Sequence, residues 1–111
     1  MYKKPATRTV VVASGGTTSG AFYIGDHAMV GVQTPSALTS TAITFLASTE
    51  KDGTYTAVVD SSDAPVSLAV AASEAIGLSG AELDALAPWT WLKLVCGSTE
   101  AAERTFIVAL K

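Results

Sequence analysis

Charged side chains, cysteine and histidine are all scarce in this sequence. Only 15% of the 111 residues are charged, against an average of about 25% in globular proteins. The single cysteine, Cys96, excludes a disulfide within the chain, and with one histidine, His27, no spacing resembles a zinc site. Seven scattered Lys and Arg residues and a net charge of −3 argue against a nucleic-acid partner.

Long apolar runs are missing as well. No stretch approaches the roughly 18 apolar residues that a membrane span requires. The apolar run at residues 10–13 is shorter than the core of a signal peptide, which needs about 7–15 residues. We therefore expect a protein made in the cytoplasm without a membrane partner, as a single domain over residues 1–111 with a flexible arm at residues 1–6.

Short β-prone segments separated by Gly, Pro, Ser and Asp occupy most of the chain. They predict strands at residues 7–13, 21–25, 29–33, 42–48, 54–60, 66–72, 89–95 and 104–110. The pair Asp52-Gly53 is typical of a hairpin turn between the fourth and fifth of these segments. Alternation places Val66, Leu68 and Val70 toward the core. We predict an all-β fold, an antiparallel β-sandwich or jelly roll of about eight short strands.

One short helix is predicted near residues 80–87. Ser79 and Glu82 have the spacing of a capping box, in which the serine hydroxyl accepts a hydrogen bond from the amide of Glu82. Pro88 prevents the helix from continuing past Ala87.

Polar residues that could carry chemistry are few, and each has an ordinary explanation. His27 follows Asp26 in a turn-like stretch, but no nucleophile motif accompanies the pair. Asp52, Asp60 and Asp63 lie in adjacent turns, yet their spacing is not that of a calcium-binding loop, and Asp is a common turn residue. We predict no catalytic, cofactor-binding or metal-binding residue, and therefore no enzyme activity and no cofactor.

Two further features have competing interpretations. The glycine-rich segment 14–21 lacks the Lys-Ser/Thr of a phosphate-binding loop, which favours a flexible or partner-contacting loop. Cys96 ends a predicted strand, where a buried small hydrophobic residue is more common than a reactive thiol.

The segment 89–96 contains both tryptophans of the chain. In an extended strand Leu92, Leu94 and Cys96 share one face, and that face is the better core face because burying Lys93 without a partner is costly. Trp89, Trp91 and Lys93 then point outward. Three explanations for outward tryptophans remain: cover by another part of the same chain, an interface with a neighbouring subunit, or a platform for sugars. We take Trp89, Trp91 and Lys93 as the candidate partner-binding residues.

Two long segments resemble a known group of proteins. They are AITFLASTEKDGTYTAVVDSSDAPVSLAV at residues 42–70 and ALAPWTWLKLVCGSTEAAERTFIVALK at residues 85–111. Both resemble small β-sandwich structural proteins of tailed bacteriophage virions, whereas the N-terminal third is similar only in general character.

The resemblance implies a non-enzymatic virion component, above all a decoration or cement protein of the capsid. Such a protein binds between capsomers, contacts the major capsid protein or other virion proteins, and often forms a homo-oligomer, with a trimer favoured. The alternative is a carbohydrate-binding or host-attachment module in the neck or a fibre of the virion.

Overall fold

The computed structural model describes residues 6–111. The predicted arm at residues 1–6 therefore lies outside the described residues except for Ala6, which begins the first strand. Nine strands and one helix follow in chain order: β1 Ala6–Val12, β2 Phe22–Tyr23, β3 Met29–Gln33, β4 Ala42–Ser48, β5 Thr56–Ala57, β6 Ser67–Ala69, β7 Ala75–Gly77, α1 Gly80–Leu86, β8 Trp91–Cys96 and β9 Arg104–Leu110.

The strands form two antiparallel sheets. One sheet has the order β1-β9-β3-β7, and the other has the order β2-β8-β4-β5, with β6 also paired to β4. Strand β8 pairs with β4 on one side, and β5 and β6 both pair with it on the other side, at different residues of β4. Strands β5 and β6 therefore act as two pieces of one edge strand. Each sheet thus alternates strands from the two halves of the chain, which is the jelly-roll arrangement. The predicted all-β sandwich is confirmed.

The core lies between the sheets and follows the alternation of the strands. Ile43, Phe45 and Ala47 of β4 are buried in the hydrophobic core. Phe106 and Val108 of β9, in the other sheet, are fully buried in the same core. The three residues predicted to face inward after the second turn, Val66, Leu68 and Val70, are also buried. Period-two alternation therefore identified the inner faces correctly.

Several strand predictions need correction: the segments 21–25 and 66–72 form only the short strands β2 and β6, and two further differences are larger. In the segment 54–60 only Thr56 and Ala57 form strand pairs with β4. The Val58 amide still donates to the Phe45 carbonyl of β4, and a single bridge joins Val59 to Pro65. Strand β7 at Ala75–Gly77 was not predicted, because its three residues carry one large apolar side chain and no alternation. It forms because β3 has an edge that β9 leaves free. There Gly77 pairs with Gly31 and Ala75 pairs with Gln33.

The helix is found where it was predicted, but the capping box is wrong. Ser79 occupies the position before α1 and makes no side-chain hydrogen bond to the helix. Gly80 has a φ of +55°, so the first residue of the helix adopts a left-handed conformation. A capping box needs a helical residue directly after the cap, so that the serine hydroxyl can reach the amide three positions further on. The helix ends before Pro88, as expected.

The glycine-rich segment 14–20 is not a free flexible loop. The amide of Ser19 donates to the carbonyl of Leu94, and the amide of Cys96 donates to the carbonyl of Thr17. The Ser19 hydroxyl also accepts from the amide of Leu94. These bonds hold the segment against β8.

A buried carboxylate lies beside this segment. Glu100 is 0% exposed, and its oxygens accept hydrogen bonds from the amides of Thr39 and Ser40, each at 2.9 Å. The Ser40 hydroxyl and the Arg104 guanidinium complete the set, the latter at 2.8 Å. We call these four residues the Glu100 cluster. It joins the loop before β4 to the loop before β9.

Candidate functional site

Strand β8 divides its side chains as the sequence predicts. Leu92 and Leu94 are fully buried and Cys96 is 2% exposed, while Trp91 and Lys93 alternate with them on the outer face and are partly exposed. Burial raises the pKa of the Cys96 thiol above its ordinary value. The buried hydrophobic role of Cys96 is thus confirmed, and the outward direction of Trp91 and Lys93 is confirmed as well.

Trp91 packs against an aromatic ring from the neighbouring strand. Tyr23 of β2 is the register partner of Trp91, and their ring centroids lie 4.9 Å apart at an angle of 48°. Tilted arrangements at this distance are favourable for aromatic pairs. Tyr23 remains 47% exposed, so the pair is a surface feature with one ring leaning on the other.

A glycine makes room for this pair. Gly25 has a φ of +63°, and a Cβ atom at this position would lie 2.8 Å from Cε2 of Tyr23. The Arg8 Nε also donates to the Tyr23 carbonyl at 2.8 Å. The backbone after β2 therefore sets where the Tyr23 ring lies.

Two lysines and a second tyrosine complete this surface. The Lys93 Nζ lies 4.4 Å from the centroid of the Tyr55 ring, and the Lys51 Nζ lies 6.0 Å from the Trp91 ring. Both distances fall within the range of cation–π interactions. The Tyr55 hydroxyl donates to the Lys51 carbonyl at 2.8 Å, and burial together with the nearby Asp52 charge raises the pKa of that hydroxyl.

We call this surface the aromatic face. It consists of Tyr23, Tyr55, Trp91, Lys51 and Lys93, on the outer side of the sheet that contains β8. It combines aromatic rings with long flexible cations, and the Asp52 carboxylate lies near its Tyr55. Such a surface can bind a partner through ring contacts and hydrogen bonds to acceptor groups.

Trp89 does not belong to the aromatic face, which corrects the prediction that it points outward beside Trp91, while its role in partner binding stays a prediction. It precedes the first residue of β8 and packs against the hydrophobic core as a partly buried side chain. The alternation rule fails for Trp89 because the chain at Thr90 is a bend and not a strand. The structure therefore separates two tryptophans that the sequence places together.

Trp89 instead borders two adjacent depressions in the surface. One has a volume of about 440 Å³ and extends along β5 and the loop before it. The other has a volume of about 540 Å³ and lies between the turn at residues 60–62 and helix α1. Val59 and Trp89 line both depressions. We call the pair of depressions the Trp89 groove.

The remaining candidate residues take structural or solvent-exposed positions. His27 is an exposed residue of a turn, where its amide donates to the Ile24 carbonyl. The Asp60 Oδ1 accepts from the amides of Ser62 and Ala64, at 2.8 and 3.1 Å, and so stabilises its own turn. Within residues 6–111, no group of three or more His, Cys, Asp or Glu side chains is placed to hold a metal ion.

Sequence reasoning missed three members of the aromatic face: Tyr23, Tyr55 and Lys51. A partial signal was available for Tyr55, because the Asp52-Gly53 hairpin places it next to β4. The pairing of Tyr23 with Trp91 had no such signal, since residues 23 and 91 are brought together only by the order of the strands in the sheet.

Comparison with known proteins gives one informative likeness. No protein-family model matches the chain, and no curated protein matches it. Among solved structures, the chain is similar to the crystal structure of the SPBc2 prophage-derived protein YomS, with a TM-score of 0.55 and 15% sequence identity. The match covers 100% of this chain and 98% of that chain.

At this level of identity the likeness shows the fold alone, and it extends over the whole length of both chains. In the part of the chain that the structure describes, no helix is long and apolar enough to cross a membrane.

Proposed function

We propose that this chain is a non-enzymatic structural protein of a tailed bacteriophage virion, and specifically a decoration or cement protein of the capsid. In this role it binds the major capsid protein between capsomers and stabilises the head. The chain acts as a homo-oligomer, preferably a trimer, and its final location is the virion.

The aromatic face is the observation that carries this proposal. Trp and Tyr are enriched among the residues that dominate binding energy at protein interfaces. Here Trp91 and Tyr23 contact each other on an outer sheet surface, where Tyr23 is 47% exposed. Intrachain contacts therefore account for only part of their surface, and a partner subunit can cover the rest.

The outer face of the opposite sheet supports a role in packing. Its outward positions carry no charged side chain, according to the strand registers of the described residues: Thr7, Thr9, Val11, Gly31, Gln33, Ala75, Gly77, Thr105, Ile107 and Ala109. A neutral surface of small side chains can approach another protein without desolvating charges. The chain thus offers two distinct contact surfaces, as a subunit in a lattice requires.

The resemblance of residues 42–70 and 85–111 to small phage virion proteins supports the same proposal, and the fold is shared with a prophage-derived protein. The mechanism is binding alone. Weak contacts that repeat over a capsid gain strength, because each contact after the first is effectively intramolecular.

The first test is the composition of the particle. Virions from cells that carry this gene are purified on a density gradient, and the chain is quantified against the major capsid protein by mass spectrometry. We expect a fixed stoichiometric ratio and gold-labelled antibodies on the head. A chain absent from the particles would overturn the proposal, and label on the neck or tail would replace decoration with a neck or fibre role.

The second test concerns the aromatic face. Purified protein is added to particles that lack it, and binding is measured by co-sedimentation. Trp91→Ala should weaken binding by about 30-fold, which corresponds to roughly 2 kcal/mol. Glu103→Ala, an exposed residue of the loop before β9 that belongs to neither contact surface, is the control. Equal binding by both variants would show that the aromatic face is not the capsid contact.

The oligomeric state is tested separately: light scattering of the free protein measures its molar mass and so tests the proposed trimer.

A further inference from the structure

The Trp89 groove is a second surface feature that borders the aromatic face at Ser48, the register partner of Trp91, but is lined by none of the five residues of that face and is not used by the proposed packing role. It lies where the bend before β8 brings Trp89 next to Val59 and the turn that follows β5. Trp89 is anchored against the hydrophobic core. Part of its indole ring therefore forms a fixed wall of the groove, and a wall that is already ordered costs little conformational entropy when a ligand binds.

The rest of the groove mixes small apolar side chains with groups that carry oxygen atoms. The larger depression includes Asp60, Ser61 and Ser62 from the turn and Asp84 from helix α1. The smaller one includes Ser48 and Glu50. Because Asp60 binds the amides of its own turn, Ser61 and Ser62 are held in place. The groove therefore combines a fixed aromatic surface with carboxylate and hydroxyl groups on ordered backbone.

The charges of the groove restrict its ligand. Glu50, Asp60 and Asp84 contribute carboxylates, and no Lys, Arg or His of the described residues lines either depression. Phosphate groups and other anions would be repelled. A ligand with many hydroxyl donors can instead form strong hydrogen bonds to carboxylate oxygens, while its apolar face stacks on the indole.

We propose that the Trp89 groove binds a neutral carbohydrate. One sugar ring stacks on Trp89, and its hydroxyl groups donate hydrogen bonds to Asp84 and to the Asp60–Ser62 turn. The volumes of about 440 and 540 Å³ lie within the size range of small-ligand sites. Two depressions that share Trp89 accommodate two adjacent sugar units, so a disaccharide should bind more tightly than its component monosaccharide. The site stands independently of the proposed capsid role.

The test is an NMR titration of the ¹⁵N-labelled full chain with neutral probes. The probes are methyl glycosides of glucose, galactose, rhamnose and N-acetylglucosamine, and disaccharides of the same sugars. We expect at least one probe to cause saturable shifts of the Trp89 indole N–H and of the Ser62 and Asp84 amides. The Trp91 indole N–H, on the aromatic face, should not shift.

Two variants and one control define the site. Asp84→Asn should lower the association constant by about tenfold, because it removes a charged acceptor. Trp89→Phe should also weaken binding while keeping an apolar ring against the core. Asp26→Asn alters an exposed aspartate in a turn outside the groove and should leave the affinity unchanged.

Several outcomes would overturn the proposal. One is the absence of saturable shifts with every probe up to about 100 mM, a hundredfold above a millimolar Kd. Another is equal affinity of Asp84→Asn, Trp89→Phe and the unaltered protein. A short oligolysine peptide serves as an additional probe, and shifts that arise only with this peptide would assign the groove to a cationic protein segment. Shifts confined to the Trp91 side would place the sugar site on the aromatic face.

Discussion

The Glu100 cluster and the aromatic face both combine charge with hydrogen bonding, but they do so in opposite ways. Glu100 is fully buried, and backbone amides, a hydroxyl and a guanidinium all bind its carboxylate. On the aromatic face, two ammonium groups lie over aromatic rings at the surface. The first arrangement uses its polar groups to hold the fold together, while the second leaves them available to a partner. Four predictions test this difference, in order of decreasing effect.

Removal of the buried charge should have the largest effect. Glu100→Gln keeps the size of the side chain but leaves Arg104 without its ion-pair partner. Breaking a buried pair of this kind lowers the free energy of unfolding by about 3 kcal/mol, which urea denaturation can measure. The control is Glu103→Gln, which alters an exposed neighbour and should change stability by less than about 0.5 kcal/mol. Similar values for the two variants would show that the cluster is not a structural anchor.

The same cluster predicts the response to acid. Burial alone would raise the pKa of Glu100, but hydrogen bonds from Ser40, Arg104 and the Thr39 amide outweigh it and lower the pKa from 4.5 to about 2. A carboxyl with a depressed folded-state pKa stabilises the fold above its unfolded pKa, and that stability is lost as the pH falls toward 2. The loss amounts to about 3 kcal/mol. Thermal unfolding between pH 5 and pH 2 should show it, and Glu100→Gln should flatten the curve over this range.

On the aromatic face, Gly25→Ala should have an intermediate effect. The new Cβ would meet the Tyr23 ring at 2.8 Å, and the residue would have to keep a φ of +63°. We expect a loss of about 1–2 kcal/mol in stability and a change in Trp91 fluorescence as Tyr23 moves. Gly20→Ala is the matched control, since a Cβ there meets nothing within 4 Å. Unchanged fluorescence in Gly25→Ala would mean that Gly25 does not set the position of the Tyr23 ring.

The smallest effect is expected for Lys93. Lys93→Met keeps the apolar stem and removes the ammonium group that lies over Tyr55. An exposed cation–π pair contributes about 0.5 kcal/mol, so a double-mutant cycle with Tyr55→Leu should give a coupling free energy of this size in urea unfolding. A coupling near 3 kcal/mol would indicate that the aromatic face stabilises the fold as the Glu100 cluster does.

Prediction from sequence succeeded wherever local pattern decided the outcome. Alternation in β8 identified Leu92 and Leu94 as core residues and Trp91 as an outward residue, because successive side chains of a strand point to opposite faces. It failed for Trp89, which lies beyond the strand. The capping box at Ser79 failed for a related reason, since the left-handed Gly80 changes how the chain enters the helix.

The sequence by itself determined the class of the fold and the inner face of most strands, because hydrophobic alternation and turn residues act over a few neighbouring positions. Only the tertiary structure decided which distant residues meet. Three features depend on the order of the strands: the pairing of Tyr23 with Trp91, the burial of Glu100 among residues about 60 positions away, and the groove shared by Trp89 and the turn after β5. That order is set by how two complete sheets bury a common core, and no short segment of the chain encodes it.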